Sequence, residues 1–120
     1  MEAMARLILS EERLHPAIRD RVQNHYRALI EEVDQATAVH NIVIVGMKQN
    51  PFPRRACALL DQKGLAYKYF EFGSYLGGWR QRNAFKMWTG WPTMPIIFVG
   101  GVMIGGYDDL KRLVDTGSLA

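Results

Sequence analysis

The segment from residue 91 to residue 110 reads WPTMPIIFVGGVMIGGYDDL and decides the fold. Two apolar runs, 95–99 and 102–104, flank the pair Gly100-Gly101. Two adjacent glycines supply the positive φ angles that a tight hairpin turn requires. The segment therefore predicts a β-hairpin.

Upstream of this segment, strand and helix patterns alternate along the chain. The run 41–46 contains four consecutive β-branched residues, which is typical of a strand buried on both faces. The stretch 50–64 begins with asparagine and proline and ends in glycine, as a capped helix does. The aromatic-rich stretch 66–72 predicts a second strand, and 79–89 predicts a helix that Gly90 closes.

Downstream of the hairpin, the sequence 105–109, GGYDD, predicts the start of a last helix that ends near Gly117. Acidic residues in its first turn and Lys111-Arg112 later match the helix dipole. A strand–helix–strand unit implies parallel strands with a right-handed crossover, and the hairpin adds antiparallel ones. We therefore predict a four-stranded mixed sheet covered on both faces by helices.

The first 40 residues carry a separate helical pattern. Pro16 suits the first position of a helix, which we predict to run to about Asp34. Its apolar residues fall at helical spacing and form one stripe: Ile18, Val22, Tyr26, Leu29 and Val33. We divide the chain into an N-terminal helical extension, 1–40, and a domain, 41–120. The stripe packs on that domain or forms the contact of a homodimer.

Composition limits the classes of function. The chain has 120 residues, of which 48% are hydrophobic and 22% charged, as expected for one globular domain. It contains no long apolar run and no secretory signal pattern, so we expect a cytoplasmic protein that does not enter a membrane. The net charge of +3 is small and the basic residues are scattered, so we expect small anionic ligands and no nucleic acid. The single cysteine, Cys57, excludes an internal disulfide and a multi-cysteine metal site.

Three motifs resemble those of the glutaredoxins, most closely the monothiol branch. Trp91-Pro92-Thr93-Met94-Pro95 is similar to the family's WPT-x-P segment, whose proline is cis, and the stretch 105–110 to its GG-x-D-D-L helix start. The stretch 55–64 resembles the helix after the active-site loop. The resemblance spans residues 41–116. It implies a thioredoxin-like, glutaredoxin-type α/β fold.

The resemblance fails at the active site. The family's Cys-Pro-x-Cys or Cys-Gly-x-Ser sequence falls on residues 50–53, so Asn50 occupies the nucleophile position and Pro53 the second position. Asparagine cannot attack a disulfide, so we expect no catalytic residue and no thiol–disulfide oxidoreductase activity. We also expect no iron–sulfur cluster, because the family supplies that cysteine as the ligand. Cys57 lies about 10 Å further along the helix and has the neighbours of a buried core thiol.

The resemblance also implies a glutathione site. Its candidate residues are Lys48, Arg82, Thr93, Met94, Pro95, Gly106, Tyr107 and Asp108. Lys48 and Arg82 would pair with the glycyl carboxylate, and the backbone of Met94 would pair with the tripeptide like an added strand. Free amides from Gly106 onward would bind the γ-glutamyl carboxylate, and Asp108 its ammonium group.

Each of these residues has a structural alternative. Lys48 is equally explained as a solvated loop charge, and Arg82 as a charge on a helix face. Asp108 is also a suitable helix cap. Thr93 and Pro95 are also explained by the turn that the fold itself needs.

Three functions are compatible with the sequence. We predict a module that binds glutathione or an extended peptide and performs no thiol exchange. One alternative is a glutathione-dependent enzyme in which Asn50 donates a hydrogen bond to the bound thiolate. The other is a structural or interaction protein that dimerises through the N-terminal helix. Two aromatic residues, Phe52 and Tyr75, are expected to be exposed beside the site.

Overall fold

The computed structural model describes residues 4–119 and contains four strands and five α-helices in that range. The strands are β1 (Ile42–Gly46), β2 (Lys68–Glu71), β3 (Ile96–Val99) and β4 (Val102–Gly105). The helices are α1 (Pro16–Gln23), α2 (Arg27–Val39), α3 (Pro51–Gln62), α4 (Trp79–Thr89) and α5 (Tyr107–Asp115), after a 3-10 turn at Glu11–Arg13. Within this range no helix combines the length and the apolar character needed to cross a bilayer.

The strands form one sheet in the order β2-β1-β3-β4. β1 is parallel to β2 and antiparallel to β3, and β3 is antiparallel to β4. Both turn glycines of the hairpin, Gly100 and Gly101, have positive φ angles. The predicted mixed sheet and hairpin are therefore confirmed.

The central strand β1 is buried along its whole length because helices cover both faces of the sheet. On one face, Val43 and Val45 pack in a cluster that includes residues of α2 and α4. On the other, Ile42 and Ile44 pack in a cluster that includes residues of α3 and α5. This two-sided burial explains the unbroken apolar run that predicted the strand.

The N-terminal helix differs from the prediction. We expected one helix from Pro16 to about Asp34, whereas the chain forms α1, breaks at residues 24–26, and continues as α2 to Val39. The break lies at Tyr26, which has a left-handed backbone conformation with a φ of 50°. The residues after Asp34, which lie beyond the predicted end of the helix, are helical as far as Val39, because Ala36 packs against the core and continues the buried side of α2.

The break divides the apolar stripe between two environments. Val33 of α2 is fully buried against the sheet, so α2 belongs to the same core as β1. Ile18 and Val22 of α1 stay 37% and 40% exposed. A homodimer contact through this exposed part of the stripe stays a prediction.

The unequal burial of the stripe predicts unequal effects of truncation. Val33→Ala should lower the free energy of unfolding by about 2 kcal/mol, because it leaves a cavity in the core. Val22→Ala, the same change on an exposed position, should cost less than about 0.5 kcal/mol. Urea denaturation followed by circular dichroism measures both. Equal losses would contradict the packing of α2 described above.

Candidate functional site

A groove of about 660 Å³ opens where three elements meet: the N-terminus of α3, the turn before β3 and the N-terminus of α5. The peptide bond between Met94 and Pro95 in that turn is cis, as it is in the family's motif. The groove is lined by Met47, Asn50, Pro51, Phe52, Tyr75, Lys86, Trp91, Pro92, Thr93, Met94, Pro95, Gly106, Tyr107, Asp108 and Asp109. Six of the eight candidate glutathione residues are therefore brought together here, and Lys48 and Arg82 are not.

Asn50 caps α3 and joins it to the turn before β3. Its Oδ1 accepts a hydrogen bond of 2.9 Å from the backbone N–H of Phe52, which is the usual role of an N-cap asparagine. Its Nδ2 donates to the carbonyl of Met94 at 3.4 Å. The cap fixes the orientation of the amide, with Nδ2 towards the Met94 side of the groove. Residue 50 thus presents an N–H donor beside the groove.

Pro53, at the second active-site position, lies in the packed interior. It faces Gly46 at the end of β1, where an added Cβ would come within 2.7 Å of the Pro53 Cβ. The ring of Tyr69 lies against the same glycine, 2.8 Å from that Cβ position. A side chain at residue 53 is therefore enclosed by β1 and β2 and does not border the groove.

The N-terminus of α5 forms another part of the groove. The amide of Gly106, which we expected to be free for a ligand, donates to Asp109 Oδ2 at 2.9 Å. The amides of Tyr107 and Asp108 lie in the first helical turn and have no intrahelical acceptor. The indole Nε1 of Trp91 is buried nearby, 3.5 Å from where a Cβ at residue 106 would lie, and has no hydrogen-bond partner within residues 4–119.

The cation that lines the groove is Lys86, which sequence reasoning did not select. Lys86 lies four residues after Arg82 on α4, so the two side chains occupy neighbouring turns on one side of the helix. That spacing was the signal that could have identified Lys86 as an alternative cation. Lys48 borders a different cavity on the other side of Asn50. Gln49, which lies between Lys48 and Asn50, has a positive φ of 69°. Its side chain accepts a hydrogen bond from the Tyr75 amide at 3.2 Å, and this contact sets the course of the loop between β1 and α3.

The sequence model of the family described as glutaredoxin matches residues 42–104, more than half of the chain. The chain belongs to the glutaredoxin family. It is 39% identical over 98 residues to a glutaredoxin-like protein of Dictyostelium discoideum, covering 82% of this chain and 80% of that protein. It is 30% identical over 90 residues to glutaredoxin-C6 of Oryza sativa subsp. japonica, covering 75% and 80%.

Solved glutaredoxin structures share the fold. The buckwheat glutaredoxin–glutathione complex superposes with a TM-score of 0.69 at 25% identity, over 81% of this chain and 88% of that one. The holo form of glutaredoxin C1 from Populus tremula x tremuloides gives 0.66 at 26% identity, over 80% and 86%. The predicted thioredoxin-like glutaredoxin fold is therefore confirmed. Membership of the monothiol branch stays a prediction.

Two exposed aromatic residues flank the groove of this glutaredoxin-family protein, as predicted. Phe52 and Tyr75 are both exposed and both line it. Phe52 lies 6.2 Å from the ring of Tyr107 and stacks under the guanidinium of Arg55 at 5.2 Å. Trp79, which begins α4, is also exposed, at 57%.

Cys57 lies beside a second cavity of about 550 Å³ between α3 and β2. This second cavity is lined by Met47, Lys48, Gln49, Asn50, Arg54, Cys57, Tyr67, Tyr69 and Glu71. Burial raises the pKa of the Cys57 thiol, the charges of Asp61 and Glu71 raise it further, and the nearby Tyr67 hydroxyl opposes them in part. The thiol is therefore protonated near neutral pH and is not placed as the nucleophile that a glutaredoxin reaction needs.

Within residues 4–119 no three His, Cys, Asp or Glu side chains cluster to hold a metal ion.

Arg82 has a structural position instead of a place in the groove. Its side chain is 7% exposed, and Nη1 donates to the carbonyls of Phe72 at 2.9 Å and Gly77 at 2.8 Å. These bonds hold the loop 73–78, which carries Tyr75, against the start of α4. The residue is thus neither the ligand cation nor the exposed helix charge that the sequence allowed.

Removal of the Arg82 charge should therefore destabilise the protein. Arg82→Met keeps the aliphatic volume but leaves the Phe72 carbonyl without its bond and the Gly77 carbonyl with only the Ser74 amide. We therefore expect a loss of about 2–3 kcal/mol in the free energy of unfolding. Arg80→Met, on the exposed side of the same helix where the guanidinium lies over Trp79, should cost about 1 kcal/mol or less. Equal urea midpoints for the two variants would contradict this role.

Proposed function

We propose that this protein binds glutathione, or a short extended peptide with similar ends, in the groove and exchanges no thiols itself. The observation that carries the proposal is the side chain of Asn50, which caps α3 at the groove where the redox reaction of the family needs a thiolate. An uncharged amide is not a nucleophile at neutral pH. Binding and thiol exchange, which a glutaredoxin combines, are therefore separated in this chain.

The α5 end of the groove suits the γ-glutamyl group. Amides in the first turn of α5 and the helix dipole favour a carboxylate there. The buried N–H of Trp91 adds a further positive dipole at the same end. Asp108 lines the rim and supplies a negative charge for an ammonium group. An α-amino acid group carries a carboxylate for the helix amides and an ammonium group for the Asp108 carboxylate. This end of the groove therefore favours an α-amino acid group over a simple carboxylic acid.

The turn before β3 suits the middle of the ligand. Among the described residues, 4–119, the carbonyl of Met94 receives only the 3.4 Å bond from Asn50, so a ligand amide can replace this long contact. An extended peptide laid along Met94 would pair with the backbone in the way that an added strand pairs with a sheet edge. The central cysteine of glutathione would then lie beside Asn50.

The α4 end of the groove suits a terminal carboxylate. Lys86 lines the groove from α4, which covers one face of the sheet, whereas Asp108 lines it from α5 on the opposite face. The two charges therefore reach the groove from opposite faces of the sheet, which would give a bound ligand a direction. We assign Lys86 to the glycyl carboxylate in place of Lys48 and Arg82.

Calorimetric titration with reduced glutathione tests this arrangement. We expect saturable binding that Lys86→Gln and Asp108→Asn each weaken about tenfold, because each removes one charge-assisted hydrogen bond. Lys63→Gln and Asp115→Asn, the same changes outside the groove, should leave the Kd unchanged. Absence of binding at millimolar glutathione would overturn the proposal. If Lys48→Gln weakens binding as much as Lys86→Gln, the assignment of the glycyl carboxylate is wrong.

Asn50→Cys tests the loss of thiol exchange. A cysteine at this helix N-terminus should have a lowered pKa and should reduce the mixed disulfide of glutathione and 2-mercaptoethanol. The native protein and Asn50→Ser, which keeps a cap but offers no thiolate, should remain at the uncatalysed rate. Activity of the native protein that disappears in Cys57→Ser would contradict the proposal.

A further inference from the structure

The second cavity adjoins the groove at the position where a ligand sulfur would lie. Met47 and Asn50 line both spaces, and Asn50 forms the partition between them. A group attached to the sulfur of a groove-bound tripeptide would extend past Asn50 towards the second cavity. The other residues of the second cavity come from α3, the loop before α3, β2 and the residue just before β2, and none of them lines the groove.

Two fixed aromatic rings form the wall of the second cavity. Tyr67 donates its hydroxyl hydrogen to Asp61 Oδ1 at 2.9 Å, and Tyr69 donates to Glu71 Oε1 at 3.2 Å. Burial raises the pKa of both phenols, and the acceptor carboxylates raise it further, so both rings stay uncharged. Gly46 gives the ring of Tyr69 the space it occupies. The wall is thus a rigid apolar surface with its hydroxyl groups already paired.

Two cations stand at the rim of the second cavity without an ion-pair partner. Lys48 and Arg54 are both exposed, and neither forms a salt bridge within the described part of the chain. The carboxylate at this cavity, Glu71, accepts a hydrogen bond from Tyr69. An apolar wall beside unpaired positive charges suits an organic anion with an aromatic or aliphatic body.

We propose that the ligand of this protein is glutathione carrying a substituent on its sulfur, and that the second cavity receives an anionic, apolar substituent. This inference rests on the proposed binding of glutathione in the groove. Because Asn50 offers no thiolate, the bond between the sulfur and its substituent is not attacked. An S-substituted glutathione is therefore held intact, and the substituent adds its own contacts with Tyr67 and Tyr69.

Titration with three ligands tests the inference: reduced glutathione, S-benzylglutathione and S-(4-carboxybenzyl)glutathione. The benzyl compound should bind about tenfold tighter than glutathione, because its ring covers the tyrosine wall. The carboxybenzyl compound should bind about threefold to tenfold tighter again, through Lys48 and Arg54. Amide NMR shifts caused by the substituent should map to β2 and the first half of α3.

Removing the two cations distinguishes the contribution of the second cavity to the affinity from that of the groove. The double variant Lys48→Gln/Arg54→Gln should abolish the preference for the carboxybenzyl compound over the benzyl compound and leave glutathione affinity unchanged. The control double variant Lys63→Gln/Lys68→Gln removes the same charge outside both cavities and should retain the preference.

The outcomes distinguish the two proposals. If glutathione binds but neither conjugate binds more tightly, the second-cavity inference is overturned and the groove assignment stands. A carboxylate preference that persists in Lys48→Gln/Arg54→Gln would also overturn it. If none of the three compounds binds, both proposals fail.

Discussion

Burial of β1 on both faces is the constraint on which the rest of the structure depends. A strand with apolar side chains on both sides requires a covering layer on each, and the chain supplies α2 and α4 for one face and α3 and α5 for the other. The strand ends at Gly46, so the loop that follows must leave the sheet at that edge. Asn50, the turn before β3 and the start of α5 all meet there. The groove is thus a consequence of how the core is closed.

The N-terminus of a helix such as α3 can be used in two ways: its free amides can stabilise a reactive thiolate, or a capping side chain such as that of Asn50 can bind one of them. The unpaired amides at the start of α3 stabilise a thiolate in a redox enzyme. In this chain one of these amides, that of Phe52, is bound by the Asn50 side-chain oxygen, and an asparagine cap stabilises a helix by about 1 kcal/mol relative to alanine. The bond from Nδ2 to Met94 links α3 to the turn before β3. The residue therefore contributes to the order of the groove.

Local patterns predicted the parts of the fold that local forces determine. The helix over 79–89 has the predicted bounds, and the strands of the hairpin at Gly100-Gly101 differ from the predicted runs by one residue at their outer ends, because turn glycines and caps act over a few residues. The break at Tyr26 was not predictable, because the apolar spacing of the stripe continues through it. The positions of the Arg82 and Lys86 side chains depend on how α4 is rotated about its axis against the sheet. The sequence spacing of basic residues does not give this rotation. The conformation of Gln49, which sets the path of the loop that carries Lys48, depends on its contact with the distant Tyr75.

The packing around Pro53 gives residues 50 and 53 different freedom to vary. A side chain at residue 50 borders the open groove, whereas a side chain at residue 53 is enclosed by Gly46 and Tyr69. The first position is exposed to whatever occupies the groove, and the second must match the volume that β1 and β2 leave. Tolerance to substitution should therefore change from that of a surface to that of a core within a single helical turn.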